Sequence, residues 1–272
     1  MGEKRDLYSE QKRAKVQLRN AFQRSEHTVL VHYSCESFYD RNNPRSPRVT
    51  SIAVRNLESG QTKSFSIHLI AERRSLLDKI EQHYDQLEKE MLEDFFKTVE
   101  QKQHWQWLHW NMRDANYGFE ALENRLKALG STPAAVVSEE KRLDLSRILI
   151  RIYGQDYIGH PRIEKLMQLN SITSRDFLSG KAEADAFDEK EFVKLHQSTL
   201  RKVDVLSSFA SRAHGGILKT DSSWWDINGL SVKALGEWVR EHWLVGAVIT
   251  LLGLAAAFAR AYPALAVYIE SL

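Results

Sequence analysis

The C-terminal segment restricts this chain more than any other. Trp243 to Ala259 reads WLVGAVITLLGLAAAFA, without a charge. At about 1.5 Å per residue, a helix over 243–262 covers about 30 Å, the thickness of a bilayer core. No upstream stretch is comparably apolar. The pattern predicts one transmembrane helix over 243–262 and a short tail over 263–272. A buried core helix of a soluble domain is the competing reading of the same run. The tail is too short to cross a second time. Gly253 and Ala257 have the small-xxx-small spacing that lets two helices approach, so self-association through this helix is expected.

The remainder has a soluble composition. Of 272 residues 27% are charged, and the mean hydropathy of −0.44 excludes a multi-span transporter. The net charge of +2 is too small to imply nucleic acid by itself. One cysteine, Cys35, rules out an internal disulfide and fits a reducing compartment. The first 22 residues lack an apolar stretch, so no secretory signal is expected. Lys233, Arg240 and His242 precede the apolar run, which predicts a single-pass protein of a bacterial-type inner membrane with its N-terminal domain in the cytoplasm.

Residues 1–26 read as a charged helix. Thr28 to Tyr33 (TVLVHY) is a strand, and the loop after it carries Pro44 and Pro47. Arg48 to Leu57 and Thr62 to Ile70 read as two further strands around a Glu58–Gln61 turn, with Phe65, Ile67 and Leu69 on one face. A long helix is predicted next, capped at Ser75 and striped by Ile80, Tyr84, Leu87, Met91 and Phe95. His104 to Trp110 predicts a fourth strand, Tyr117 to Leu129 a helix stopped by Gly130, and Ala134 to Val137 a short fifth strand. Asp144 is the expected N-cap of another helix, and Phe192 to Ala213 a later one. This order predicts an α/β domain over 27–220, a mixed sheet flanked by helices, followed by a linker over 221–242.

The element order and a set of polar residues resemble the DEDD-type 3′–5′ exonucleases, a branch of the ribonuclease-H-like fold. The first strand ends Ser34-Cys35-Glu36 where the family has Asp-x-Glu, so Glu36 matches and Ser34 replaces an Asp. Asn111 and Asp114 resemble the Asn…Asp pair at the next strand–helix junction. His196 and Asp204 resemble the late His…Asp pair at a longer spacing, and Arg201 or Lys202 falls where the Asp is expected. The resemblance covers about residues 28–213 and implies two divalent ions, Mg²⁺ or Mn²⁺, held by Glu36, Asp114 and Asp204, with His196 orienting or deprotonating a water. Arg41, Arg45 and Arg48 border the first loop and are candidate phosphate contacts for a nucleic-acid partner.

Each residue also has an ordinary structural role open to it. Glu36 suits an ion pair, Asp114 an N-cap, and His196 and Asp204 a solvated helix face. Trp105, Trp107 and Trp110 suit a core strand at least as well as base stacking. Ser34 removes a charge that paired metals need. Two functions therefore stand open. One is a membrane-anchored, exonuclease-like protein that binds or processes nucleic acid at the cytoplasmic face, as in defence against foreign nucleic acid. The other is a catalytically inactive sensor or scaffold whose membrane helix mediates oligomerisation, membrane perturbation or partner recruitment.

Overall fold

The computed structural model describes residues 2–36, 46–113 and 116–223. Among them, α1 (Gly2–Gln23) leads into β1 (Thr28–Cys35), β2 (Val49–Asn56) and β3 (Thr62–Ser66). Then come α2 (Ile67–Arg73), α3 (Tyr84–Gln101), β4 (Gln106–His109), α4 (Phe119–Ala128) and β5 (Arg142–Asp144). The helices α5 (Leu145–Tyr153), α6 (Arg162–Leu169), α7 (Gly180–Asp188) and α8 (Phe192–His214) complete the series. Residues 1–222 form a compact unit of their own. The expected span over 243–262 lies outside the described residues, among which no helix is long and apolar enough to cross a membrane.

The five strands form one mixed sheet in the order β3-β2-β1-β4-β5. β2 runs antiparallel to β1 and β3, whereas β4 and β5 run parallel to β1. Parallel neighbours need a crossover, which α2 and α3 supply before β4 and α4 before β5. β1 is central and buried from Thr28 to Ser34, because helices cover both of its faces. Val29, Val31 and Tyr33 join Leu87, Met91 and Phe95 of α3 in the main core. The alternate residues Leu30, His32 and Ser34 take the opposite face, where α8 lies against β1 and β2. There, Ser51 Oγ and Thr199 Oγ1 are 2.6 Å apart.

Three expected elements are corrected. The strand over Thr62 to Ile70 stops at Ser66, whose hydroxyl accepts the Leu69 N–H and starts α2. Phe65, Ile67 and Leu69 therefore do not share a strand face. Ser75 does not cap the long helix. It sits in the left-handed region (φ 55°), and α3 begins at Tyr84, after Ile80. The fifth strand is Arg142–Asp144 and not Ala134 to Val137. Val137 buries its side chain in the core, but its carbonyl accepts from Arg142 Nε at 2.9 Å and takes no place in the ladder. Gly130 does end α4: at φ 76° it lets Ser131 N–H reach the Leu126 carbonyl at 3.1 Å.

Asp144 caps α5 as expected, accepting the Ser146 N–H at 3.0 Å. The same oxygen also accepts from Asn111 N–H at 3.3 Å. Arg113 Nε lies 3.1 Å from the other oxygen, as an ion pair not aligned for a hydrogen bond. Asp144→Ala is expected to cost about 1–2 kcal/mol, and Asp144→Asn less, because the amide oxygen keeps the cap. Urea denaturation of both variants checks this. Equal losses would show that the charge and not the cap carries the contribution.

Candidate functional site

The C-terminal end of β1 is where the candidate residues gather. The β1–β2 register shifts between Ser34 and Cys35, a bulge that turns the strand end out of the ladder. Glu36 follows. Its N–H donates to the Arg48 carbonyl at 2.8 Å. Its carboxylate receives Arg48 Nη2 at 3.2 Å. The Arg48 guanidinium also lies 4.8 Å from the Tyr84 ring centre and 4.9 Å from that of Phe187. Arg48 is therefore engaged by a carboxylate and two aromatic faces. Arg41, Arg45 and Asp114 lie outside the described residues.

His196 and Asp204 are both on α8 but face different surroundings. His196 is buried beside His68, with ring centres 5.0 Å apart and its Nε2 without a hydrogen bond. Burial, then the neighbouring His68, lowers its pKa to about 4. Asp204 pairs with Arg55 at 2.9 Å. Arg48 and Arg55, the partners of Glu36 and Asp204, are seven residues apart along β2, about 23 Å at 3.3 Å per residue. The structure thus assigns Glu36 and Asp204 to separate ion pairs near opposite ends of that strand. Among the described residues, no group of three or more His, Cys, Asp or Glu side chains is placed to hold a metal.

Lys202 is the side chain that faces the end of β1. A cavity of about 580 Å³ is lined there by His32, Ser34, Glu36, Tyr117, Glu183 and Lys202, among others. Lys202 Nζ lies 2.7 Å from Glu183 Oε2, with the lysine side chain 8% and the glutamate 13% exposed. Ser198 Oγ donates to the other Glu183 oxygen at 2.9 Å. The pair joins α7 to α8 across the cavity wall.

His32 is held neutral. Burial, then the Lys202 charge, pushes its pKa well below the usual histidine range. Tyr117 Oη donates to the Tyr33 carbonyl at 3.2 Å and lies 3.3 Å from His32 Nδ1. With the phenol proton on the carbonyl, Nδ1 carries the imidazole proton and Nε2 keeps its lone pair. That Nε2 and Ser34 Oγ are buried without hydrogen-bond partners. The site therefore offers two unsatisfied polar atoms beside a neutralised Lys–Glu pair, which suits binding of a polar molecule. Sequence reasoning put Arg201 or Lys202 at the expected acidic position and missed Glu183 and His32. Their roles arise from α7 and Tyr117, which no local pattern links to β1. Comparison with protein-family models, with curated proteins and with solved structures finds no match.

Proposed function

We propose that this chain is a membrane-anchored protein whose ribonuclease-H-like domain binds a ligand and does not hydrolyse nucleic acid. The observation that carries this reading is the pair of buried Lys202 and largely covered Glu183 at the end of β1. A two-metal centre needs clustered negative charge to offset two adjacent divalent ions. Ser34 stands where the resemblance expects one Asp and Arg201 or Lys202 where it expects another, so either way the local charge moves from two negative to one positive. The Lys202 ammonium supplies the counter-charge for Glu183 that a metal supplies in a carboxylate cluster. The sheet supports the fold assignment: three antiparallel strands precede crossovers to two strands parallel to the first. The anchor rests on the apolar run over 243–262, and Gly253 and Ala257 make that helix the proposed route to self-association. In this reading the domain is a sensor or scaffold on the cytoplasmic face, and the membrane helix delivers its response.

The test is direct. The full chain in detergent is incubated with labelled single-stranded DNA and RNA, with Mn²⁺ and with chelator, beside a Glu36→Ala variant. No trimming of either strand is expected under any condition. Metal-dependent trimming that disappears in Glu36→Ala would overturn the reading in favour of an exonuclease held together by Glu36.

A further inference from the structure

Positive charge is distributed unevenly over this fold. The whole chain is nearly balanced, with 38 Lys and Arg against 36 Asp and Glu. α1 buries Gln11, Ala14, Leu18 and Ala21 against its neighbours. Its solvent face carries Lys12, Arg13, Lys15 and Arg19, with Arg24 just past its end and Glu10 as the one carboxylate among its described side chains. Lys12, Lys15 and Arg19 fall within about 60° of one another around a helix of 3.6 residues per turn. From Lys12 to Arg24 the stripe is about 18 Å long.

A neighbouring helix adds to this charge. α5 packs beside α1, where Gln11 Nε2 donates to the Ile152 carbonyl at 2.9 Å. α5 exposes Arg147 and Arg151, one turn apart. Among the described residues, none of these seven cations is in an ion pair. By contrast Arg48, Arg55, Arg73, Arg74 and Arg125 have carboxylate partners. Among the described side chains, these two helices and the adjoining Arg24 thus hold seven unmatched cations against one carboxylate, Glu10.

We propose that the α1–α5 face docks on an anionic lipid surface. Charge complementarity points to a polyanion. Among its described side chains the face offers no free aromatic on which bases stack, since Phe22 is stacked on His214 at 4.2 Å between ring centres. It does expose Val16 (41%) among lysine and arginine stems, an apolar spot that suits the headgroup boundary. The choice of lipid over other polyanions rests on the membrane-anchored reading above, which keeps this domain beside a leaflet.

The compact unit over 1–222 is used for the test, because it lacks the apolar run. It is sedimented with vesicles of phosphatidylcholine alone and of phosphatidylcholine with phosphatidylglycerol. Binding is expected only with phosphatidylglycerol, and raising salt from about 0.1 M to about 1 M should abolish it. The triple variant Lys12→Ala, Lys15→Ala, Arg19→Ala should weaken partitioning roughly a hundredfold, about fivefold per cation. Its substitutions are exposed, and its circular dichroism melt should match the parent. Equal binding to both vesicles, or none to either, overturns the proposal. So does retention of labelled duplex DNA without vesicle binding. Carbonate extraction of membranes holding the full chain tests the anchor separately. Release of the full chain by carbonate would overturn the anchor, whereas vesicle binding by the 1–222 unit decides the docking face.

Discussion

An Arg125→Leu variant is expected to lose about 3–5 kcal/mol of folding stability. Glu88 is fully buried. Its carboxylate is satisfied by Arg125 Nε at 2.9 Å, Arg125 Nη2 at 2.6 Å and the Val49 N–H at 2.6 Å. One residue of α3 thereby ties α4 to the start of β2. Burial raises the Glu88 pKa, and the Arg125 hydrogen bonds and charge oppose that rise. Removing the guanidinium leaves a buried carboxylate with a single donor, so the variant must either protonate Glu88 or open the α3–α4 contact. In a domain of this size, 3–5 kcal/mol lowers the melting temperature by roughly 10 °C. The double variant Glu88→Leu, Arg125→Leu is expected to recover most of the loss, because buried ion pairs exchange for apolar side chains at little net cost. Urea unfolding of parent, single and double variants measures the coupling. A single-variant loss under about 1 kcal/mol would show that water reaches Glu88.

The parts of this fold legible in the sequence are those whose signal is local. β1 and β2 are β-branched and apolar runs, and the α3 stripe recurs at helical spacing, so each declares itself within a few residues. The switch at Ser66 does not. Phe65, Ile67 and Leu69 alternate as a strand would, and the chain turns helical because one hydroxyl takes the Leu69 N–H. β5 has only Leu143 as an apolar residue, and it is a strand because β4 offers it a parallel edge. The candidate site divides the same way. That Ser34, and Arg201 or Lys202, stand where the resemblance expects acids is visible in the sequence. The Lys202 partner Glu183 belongs to α7, which packs on α8 through tertiary contacts that no motif encodes. Glu36 and Asp204 read alike in sequence, yet their arginine partners stand about 23 Å apart along β2.

Mild acid is expected to unfold this domain, and the reason lies in three buried histidines. His109 has its pKa lowered to about 4, first by burial, with Asp144 opposing and Arg142, Arg113 and Arg147 adding to the effect. His196 is lowered to about 4 by burial and then His68. His32 is lowered well below its usual value by burial and then Lys202. In the unfolded chain each titrates near 6.5. Above that pH both states are neutral and the full stability is present. As pH falls from about 6.5 towards about 4, the unfolded chain takes up protons that the fold refuses, so stability declines. At 1.36 kcal/mol per pKa unit, His196 accounts for about 3 kcal/mol across that window, a large share of a total of about 5–15 kcal/mol, and His109 and His32 act in the same direction. Glu88 acts in the opposite sense. Its pKa is raised in the fold, so protonating it relieves strain and softens the decline at the acid end. His109 also shows why the loss is structural. Its Nδ1 accepts the Met112 N–H at 3.2 Å, and a proton there turns an acceptor into a donor facing a donor. Urea midpoints should be level above about pH 7 and fall steeply between about pH 6.5 and 4. A His196→Gln variant should flatten that slope by up to about 1.4 kcal/mol per pH unit, whatever it costs at neutral pH. A parent profile that stays level to about pH 5 would mean that the histidines are solvated in solution and that the packing of α8 on the sheet is looser than the structure shows.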